Sequence, residues 1–243
     1  MKKIFFFLFA VSFLLAGCDH LMMWKERISG NGKIVSETRS ANLPTNKIKL
    51  AGSYEVEISQ GSPSSVKVET DENLLAHLIT GNEDGWLVIR PEDHVRLSPT
   101  SKIRIHITTD KLEAVSLAGS GNIMSDGKFT GSDKLSLNVS GSGSMHMEVN
   151  TPKVDVEVAG SGNITVSGET KNQYISIAGH GDYRAEDLKS EDAEVHIAGS
   201  GNVKLSASSH LDIHIAGSGN VYYKGSPAVT QHIAGSGVIQ QIH

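Results

Sequence analysis

One cysteine, Cys18, is all the chain has, and a lone thiol excludes an internal disulfide framework. Aromatic residues are scarce at 5%. Phe5, Phe6, Phe7, Phe9 and Phe13 crowd the first segment, so only Phe129, the tyrosines and the two tryptophans are left elsewhere. Few rings remain for stacking on sugars or bases; Tyr222 is the best outward candidate. Positive charge is not in excess either, with 22 Lys and Arg against 27 Asp and Glu, a net charge of -5. Both deficits argue against a nucleic-acid surface. The Gly-Gly-x-Gly-x-Asp nonapeptide that binds Ca²⁺ in one class of β-helix does not occur, nor does the six-residue period of another. What is abundant is glycine, 25 of 243 residues, against an average usage of ~7%.

The only long apolar run, Ile4–Gly17, is short for a membrane span. It follows two cations, Lys2 and Lys3, and closes on Leu15-Ala16-Gly17-Cys18. A positive head, an apolar stretch and small residues before a cleavage point describe a secretory signal. Leu-Ala-Gly-Cys resembles the bacterial lipobox, in which the cysteine becomes the acylated first residue. The expectation is a lipoprotein signal peptide over 1–17, lipidation at Cys18, a lipidated tether over 18–30, and a membrane contact made through lipid. Acyl chains at ~0.8 kcal/mol per buried CH₂ hold such a protein on a bilayer.

The glycines repeat. Counting from the first Gly of each Gly-Ser-Gly-Asn-like match, Gly119, Gly141, Gly160, Gly179, Gly199, Gly217 and Gly235 are spaced by about 18–22 residues, the period of a solenoid. Two residues before each stands an aliphatic: Leu117, Val139, Val158, Ile177, Ile197, Ile215, Ile233. Four before stand Val115, Leu137, Val156, Ile175, Val195, Ile213 and Gln231. The position between holds Ser116, Asn138, Glu157, Ser176, His196, His214 and His232. Alternation resumes after the glycines, with Ile123, Met145, Ile164, Tyr183, Val203, Val221 and Ile239 facing in, and two residues further on Ser125, Met147, Val166, Ala185, Leu205, Tyr223 and Gln241. A period of two means half-buried strands. Strand, tight corner, strand and a variable return predict an all-β fold, a single-stranded parallel β-helix flattened into a solenoid.

In such a fold equivalent corners lie over one another. Glycine accepts the positive φ of a sharp bend, and Ser and Asn side chains bond backbone groups that the bend leaves unpaired. The expected structural corner ladder is Gly119 with Asn122, Gly160 with Asn163, Gly179 with Asp182, Gly199 with Asn202, and Gly217 with Asn220. The regular part spans 113–243. Residues 31–112 are expected to cap it: Ile48, Leu50, Val56 and Ile58 keep the register around Gly52, while Leu74, Leu75, Leu78 and Ile79 follow helical spacing behind Asp71 as the expected N-cap of a short helical turn.

Arg27–Gly32, Lys47–Leu50, Tyr54–Gly61, Asp71–Leu75 and the Gly-Ser-Gly-Asn series together resemble the putative auto-transporter adhesin, head GIN domain family. The resemblance implies a right-handed parallel β-helix with Gly-Ser-Gly corners and an extracytoplasmic, adhesive role. The lipobox, with no outer-membrane barrel following, makes a surface scaffold the expectation rather than an autotransporter.

Enzymatic β-helices gather carboxylates on one face. Here the acidic pairs Asp71-Glu72, Glu83-Asp84, Glu92-Asp93, Glu186-Asp187 and Glu191-Asp192 fall in returns or loops, and Asp155, Glu157, Glu194 and Asp212 point outward as solvated decoration. No catalytic residue and no cofactor are expected. His196, His214 and His232 share one outward column on three successive coils, with His180 at the adjacent corner and Glu194 and Asp212 beside the column across the pleat. The plain expectation is a stack of exposed rings without metal; the alternative is a shared Zn²⁺ or Cu²⁺. The function expected is a non-enzymatic, lipid-anchored cell-envelope scaffold or adhesion module, exported to the inner or outer membrane, that binds a glycan or an envelope protein. Two alternatives stand beside it: a carbohydrate-active lyase or hydrolase, and a module forming homo-oligomers through the end of the solenoid.

Overall fold

A computed structural model describes residues 26–39 and 43–242; Cys18, the leader and most of the expected tether lie outside them. The alternating sequence folds as it reads. Each repeat gives one strand before its corner and one after it, and the two sets make two sheets of a parallel β-solenoid of about seven turns. The strands before the corners form a ten-stranded sheet in the spatial order Leu78–Glu83, Trp86–Pro91, Lys47–Ala51, Ala114–Gly119, Leu135–Gly141, Lys153–Gly160, Asn172–Gly179, Asp192–Gly199, His210–Gly217 and Ala228–Gly235. The strands after them form a twelve-stranded sheet. It runs through Ile34–Arg39, Ser65–Asp71, Arg104–Thr109, Glu55–Gln60, Asn122–Phe129, Ser144–Asn150 and Asn163–Glu169, then Asp182–Ala185, Asn202–Ser206, Asn220–Lys224 and Val238–Gln241. Leu188–Lys189 is attached to Asn163–Glu169.

The inward columns close into one core. Val115, Leu137, Val156, Ile175, Val195 and Ile213 are all essentially solvent-free, as are Ile164, Tyr183, Val203 and Val221 opposite them. Each such side chain contributes about 1.5–3 kcal/mol of transfer free energy. Ser125 is the misfit among the inward positions before the last coil. Its hydroxyl accepts the Glu148 N–H at 2.9 Å, and a bulge between Met124 and Lys128 then restores the register so that Phe129 is buried. Tyr183 is buried whole, and its hydroxyl donates to Gln173 Oε1 at 3.2 Å. Gln173 Nε2 in turn donates to Ser190 Oγ at 2.8 Å. Burial pushes the Tyr183 phenol up, so it stays a donor.

Chain order and spatial order part at the N-terminal end. The coil around Gly52 lies between residues 86–109 and the coil of Gly119, pairing in parallel on both sides. The outermost strands reverse direction: Leu78–Glu83 runs antiparallel to Trp86–Pro91, and Ser65–Asp71 lies antiparallel to both Arg104–Thr109 and Ile34–Arg39. Residues 26–29, read from the sequence as tether, are a strand paired in parallel with Val95–Ser98.

The helical turn is present as a 3₁₀ segment, Glu72–His77, that buries Leu74 and Leu75. Asp71 does not cap it through its side chain. Its carboxylate turns the other way. Oδ1 accepts the Gly32 N–H and the Thr100 hydroxyl, each at 2.7 Å, and Oδ2 accepts the Thr100 N–H at 2.9 Å. Asp71 is fully buried. Burial pushes its pKa up, but these donors outweigh that and hold it below the usual carboxylate value. A lone buried carboxylate with three donors fixes the covering segment onto the solenoid.

Candidate functional site

The corners explain the recurring pentapeptide and fix where the outer columns stand. Gly119, Gly141, Gly160, Gly179, Gly199, Gly217 and Gly235 pair one above another. Gly199 shows why the first glycine is required: its φ is +135°, and a Cβ there would lie 2.3 Å from the Gly179 carbonyl oxygen. That oxygen accepts the Ser200 N–H at 2.8 Å, so it cannot yield without breaking the stack. The second glycine is required by crowding alone. A Cβ at Gly201 would meet the Gly181 oxygen at 2.4 Å and Ile177 Cγ2 at 2.8 Å. At Gly52, where no Gly-Ser-Gly corner lies beneath, the same space is filled by the Tyr54 ring, whose hydroxyl bonds to the Ala51 carbonyl at 3.0 Å.

The amide ladder is real over part of its expected length. Asn202 Nδ2 donates to Asp182 Oδ1 at 3.0 Å, Asn220 Nδ2 to Asn202 Oδ1 at 2.9 Å, and the Val238 N–H to Asn220 Oδ1 at 3.1 Å. Asn122 and Asn163 share the column but are separated in it by Ser144, whose hydroxyl is too short to carry an amide chain between coils, and Asn163 makes no side-chain bond to Asp182 on the next coil.

The outward histidines are brought together as expected. His196, His214 and His232 stand in register. Their rings are parallel, with centroids 4.8 Å and 5.0 Å apart and planes inclined by 7° and 6°. Tyr174 stands in the neighbouring outward row with Glu194 and Asp212, its ring centroid 5.5 Å from that of His196. His180 stands apart, in the serine row of the corner, where its N–H bonds to the Gly160 carbonyl.

The carboxylates beside the column are not across the pleat. Positions two apart on a strand share a face, so Glu194 Oε1 bonds His196 Nε2 at 2.7 Å and Asp212 Oδ1 lies 3.3 Å from His214 Nε2. The next outward row adds His210 Nδ1 against Asp192 at 2.9 Å. The period of two was the signal that placed these acids.

Elsewhere several outward acids meet basic side chains rather than each other. Asp155 pairs with Lys134 and Lys153, and Glu57 with His106. Glu55 pairs with Lys102 and Arg104; the Lys102 hydrogen bond leads in holding its carboxyl below the usual value. A general acid needs the opposite shift. On the other sheet Arg184, Lys204 and Tyr222 align as one outward column. Among the described residues no helix is long and apolar enough to cross a membrane.

Residues 45–227 match the family described as putative auto-transporter adhesin, head GIN domain. Solved structures share the architecture. One from Parabacteroides distasonis, described as a putative lipid binding protein, is 27% identical with a TM-score of 0.75, covering 90% of this chain and 100% of its own. A second from P. distasonis, described as a putative adhesin, is 27% identical with a TM-score of 0.71, over 89% of this chain and 100% of that one. A putative adhesin from Bacteroides fragilis, 21% identical with a TM-score of 0.79 over 88% of this chain and all of that one, shares the fold. No curated protein matches the chain.

Proposed function

The chain belongs to the putative auto-transporter adhesin, head GIN domain family, and from that premise we propose that it is a non-enzymatic, lipid-anchored module of the bacterial cell envelope whose outer faces hold a glycan or a protein partner. One observation carries the reading: parallel coils in strict register turn each outward position into a straight row of like-spaced side chains. Rows ~4.8 Å apart form a rigid lattice, suited to an extended partner that meets many weak contacts at once. The column of Arg184, Lys204 and Tyr222 offers two cations and a ring on one line, a fit for an acidic glycan. The naming of the relatives as adhesins and a lipid binding protein, and the pairing of outward acids with cations, support a binding role over catalysis. The anchor rests on Cys18 and its lipobox.

Two measurements test it. Metabolic labelling with an alkyne fatty acid should mark the wild-type chain and leave Cys18→Ser unlabelled and released from the membrane fraction; a labelled or membrane-bound Cys18→Ser ends the anchoring claim. A glycan array should show binding that Tyr222→Ala and Lys204→Ala each weaken about fivefold or more, since a lost ring contact or charge-assisted bond is worth ~1–3 kcal/mol. Wild-type affinity in both variants removes that face from consideration.

A second reading has its own observation. Val229, Ile233 and Val238 on the last coil are exposed, and this apolar edge favours a second copy of the chain. Sedimentation of wild type against Val229→Lys/Ile233→Lys tests it: equal monomers would discard self-association.

A further inference from the structure

The His row is not uniform. At its lower step Glu194 Oε1 accepts a 2.7 Å hydrogen bond from His196 Nε2. At the upper step Asp212 Oδ1 is shielded from solvent and makes no hydrogen bond, although His214 Nε2 stands only 3.3 Å away. A shielded carboxylate oxygen without a donor calls for a water, an ion or strain to account for it, and at Asp212, unlike Asp155 and Glu186, which share that state, two imidazoles stand beside it. Asp212, His214 and His232 each present one ligand atom, and the three atoms lie within 4.8 Å of one another. We propose that Asp212, His214 and His232 form a binding site for a divalent ion of the zinc type, which ties the last two coils of the solenoid together.

The chemistry fits the donor set. Two imidazole nitrogens and one carboxylate oxygen suit Zn²⁺ or Cu²⁺ and are a poor match for Ca²⁺, which takes six to eight oxygens. Tetrahedral zinc with bonds of ~2.0–2.1 Å sets its ligand atoms ~3.4 Å apart. The widest pair must therefore close by roughly 1.4 Å. Rotation about χ2 of His232 supplies this, because that torsion is soft and His232 sits on an exposed strand. Water completes the fourth position. The consequence is local. His214 belongs to His210–Gly217 and His232 to Ala228–Gly235, which pair in parallel. The outer of these strands is solvent-exposed along its whole length, and its inward position, Val195 and Ile213 in the preceding coils, is occupied by Gln231. A metal bridge holds this coil where the core holds it least.

The experiment uses the full chain and Zn²⁺ alone. Calorimetry should show one ion per chain for wild type, with binding at least about tenfold weaker in His214→Ala and His232→Ala, the scale on which even outer partners of a metal matter. His210→Ala and His196→Ala should bind as wild type, because neither residue is a ligand. Hydrogen exchange across 228–241 should slow with Zn²⁺ in wild type and His210→Ala and stay unchanged in His232→Ala. His232 is exposed, so its loss leaves the fold intact and the comparison readable if His214→Ala is poorly folded. No binding by wild type, wild-type affinity in His232→Ala, or a loss in His196→Ala equal to that in His214→Ala would each overturn the assignment.

Discussion

Gly199→Ala and Gly131→Ala place the same methyl group on glycines that both have positive φ, +135° and +82°. The backbone penalty for an L-residue is about 1–2 kcal/mol near the left-handed region of Gly131 and no smaller at the wider φ of Gly199. Everything else differs. Nothing lies within 4 Å of a Cβ at Gly131, whereas at Gly199 the Gly179 carbonyl oxygen lies at 2.3 Å. An ordinary carbon–oxygen approach is ~3.3 Å, so the overlap is roughly 1 Å against a backbone atom hydrogen-bonded to the Ser200 N–H. Relief requires parting two coils or bending a strand, an overpacking cost of about 1–3 kcal/mol. Gly131→Ala should therefore lose about 1–2 kcal/mol, and Gly199→Ala about 2–5 kcal/mol by adding both terms. The assay is urea unfolding followed by circular dichroism, with hydrogen exchange read coil by coil because repeat arrays need not unfold as one unit. In Gly199→Ala the faster-exchanging amides should centre on Ser200 and Ser218. Equal losses in the two variants would refute the claim that carbonyl stacking, rather than local backbone conformation, dictates the repeated glycine.

Ile213→Ala, at a position with no exposure, should cost about 2–5 kcal/mol, while Ile233→Ala, 41% exposed one coil further on, should cost under ~1 kcal/mol; thermal unfolding of both checks how far the core extends. Asp71→Asn sets an amide NH₂ against the Thr100 N–H and should cost about 1.5–3 kcal/mol at neutral pH. Because the native Asp71 pKa is depressed, its contribution is complete above the unfolded value of ~3.9 and is lost as pH falls through the native one. The gap between wild type and variant should therefore hold from pH 7 to about pH 5 and shrink below about pH 4, and a gap independent of pH would show that the carboxylate charge is not what the donors hold.

The solenoid was legible because its two constraints are periodic. A corner that must bend without a Cβ recurs as glycine, and a strand with one dry face alternates, so the inward rows through Val195, Ile213 and Tyr183 could be read directly. The N-terminal end was not legible in the same way. Alternation around Ile48 and Ile105 reports which face of a strand is buried but not which strand lies beside it, and the coil of Gly52 proved to sit between residues 86–109 and the coil of Gly119. Asp71 looked like a helix cap from local spacing, yet its partners Gly32 and Thr100 are distant in sequence, and a long-range hydrogen bond has no periodic trace. Tyr54, too, reads as a substitution in a corner until its ring is seen to fill the space under Gly52. For the candidate site, the vertical row of histidines followed from the period, and so should the placement of Asp212 have done; what only coordinates reveal is that its Oδ1 lacks the donor that Glu194 has.

The fold makes unequal demands on neighbouring positions, and this separates structure from function along a single strand. At the position two before the corner the interior accepts only aliphatics, from Leu117 to Ile215. One residue earlier, solvent accepts anything, and Ser116, Asn138, Glu157 and Ser176 show that it takes many kinds. Three histidines then follow in that unconstrained row. They include the last coil, where the inward demand has lapsed far enough to admit Gln231. Core packing cannot account for His232, because its neighbours there no longer form a core. Stacking of rings on an exposed face gains at most about 0.5–1.5 kcal/mol per pair, too little to order a strand that buries so little else. A ligand shared with His214 and Asp212 would add an interaction where apolar burial is weakest, and would convert a loosely packed coil into a defined edge for whatever the outer face meets.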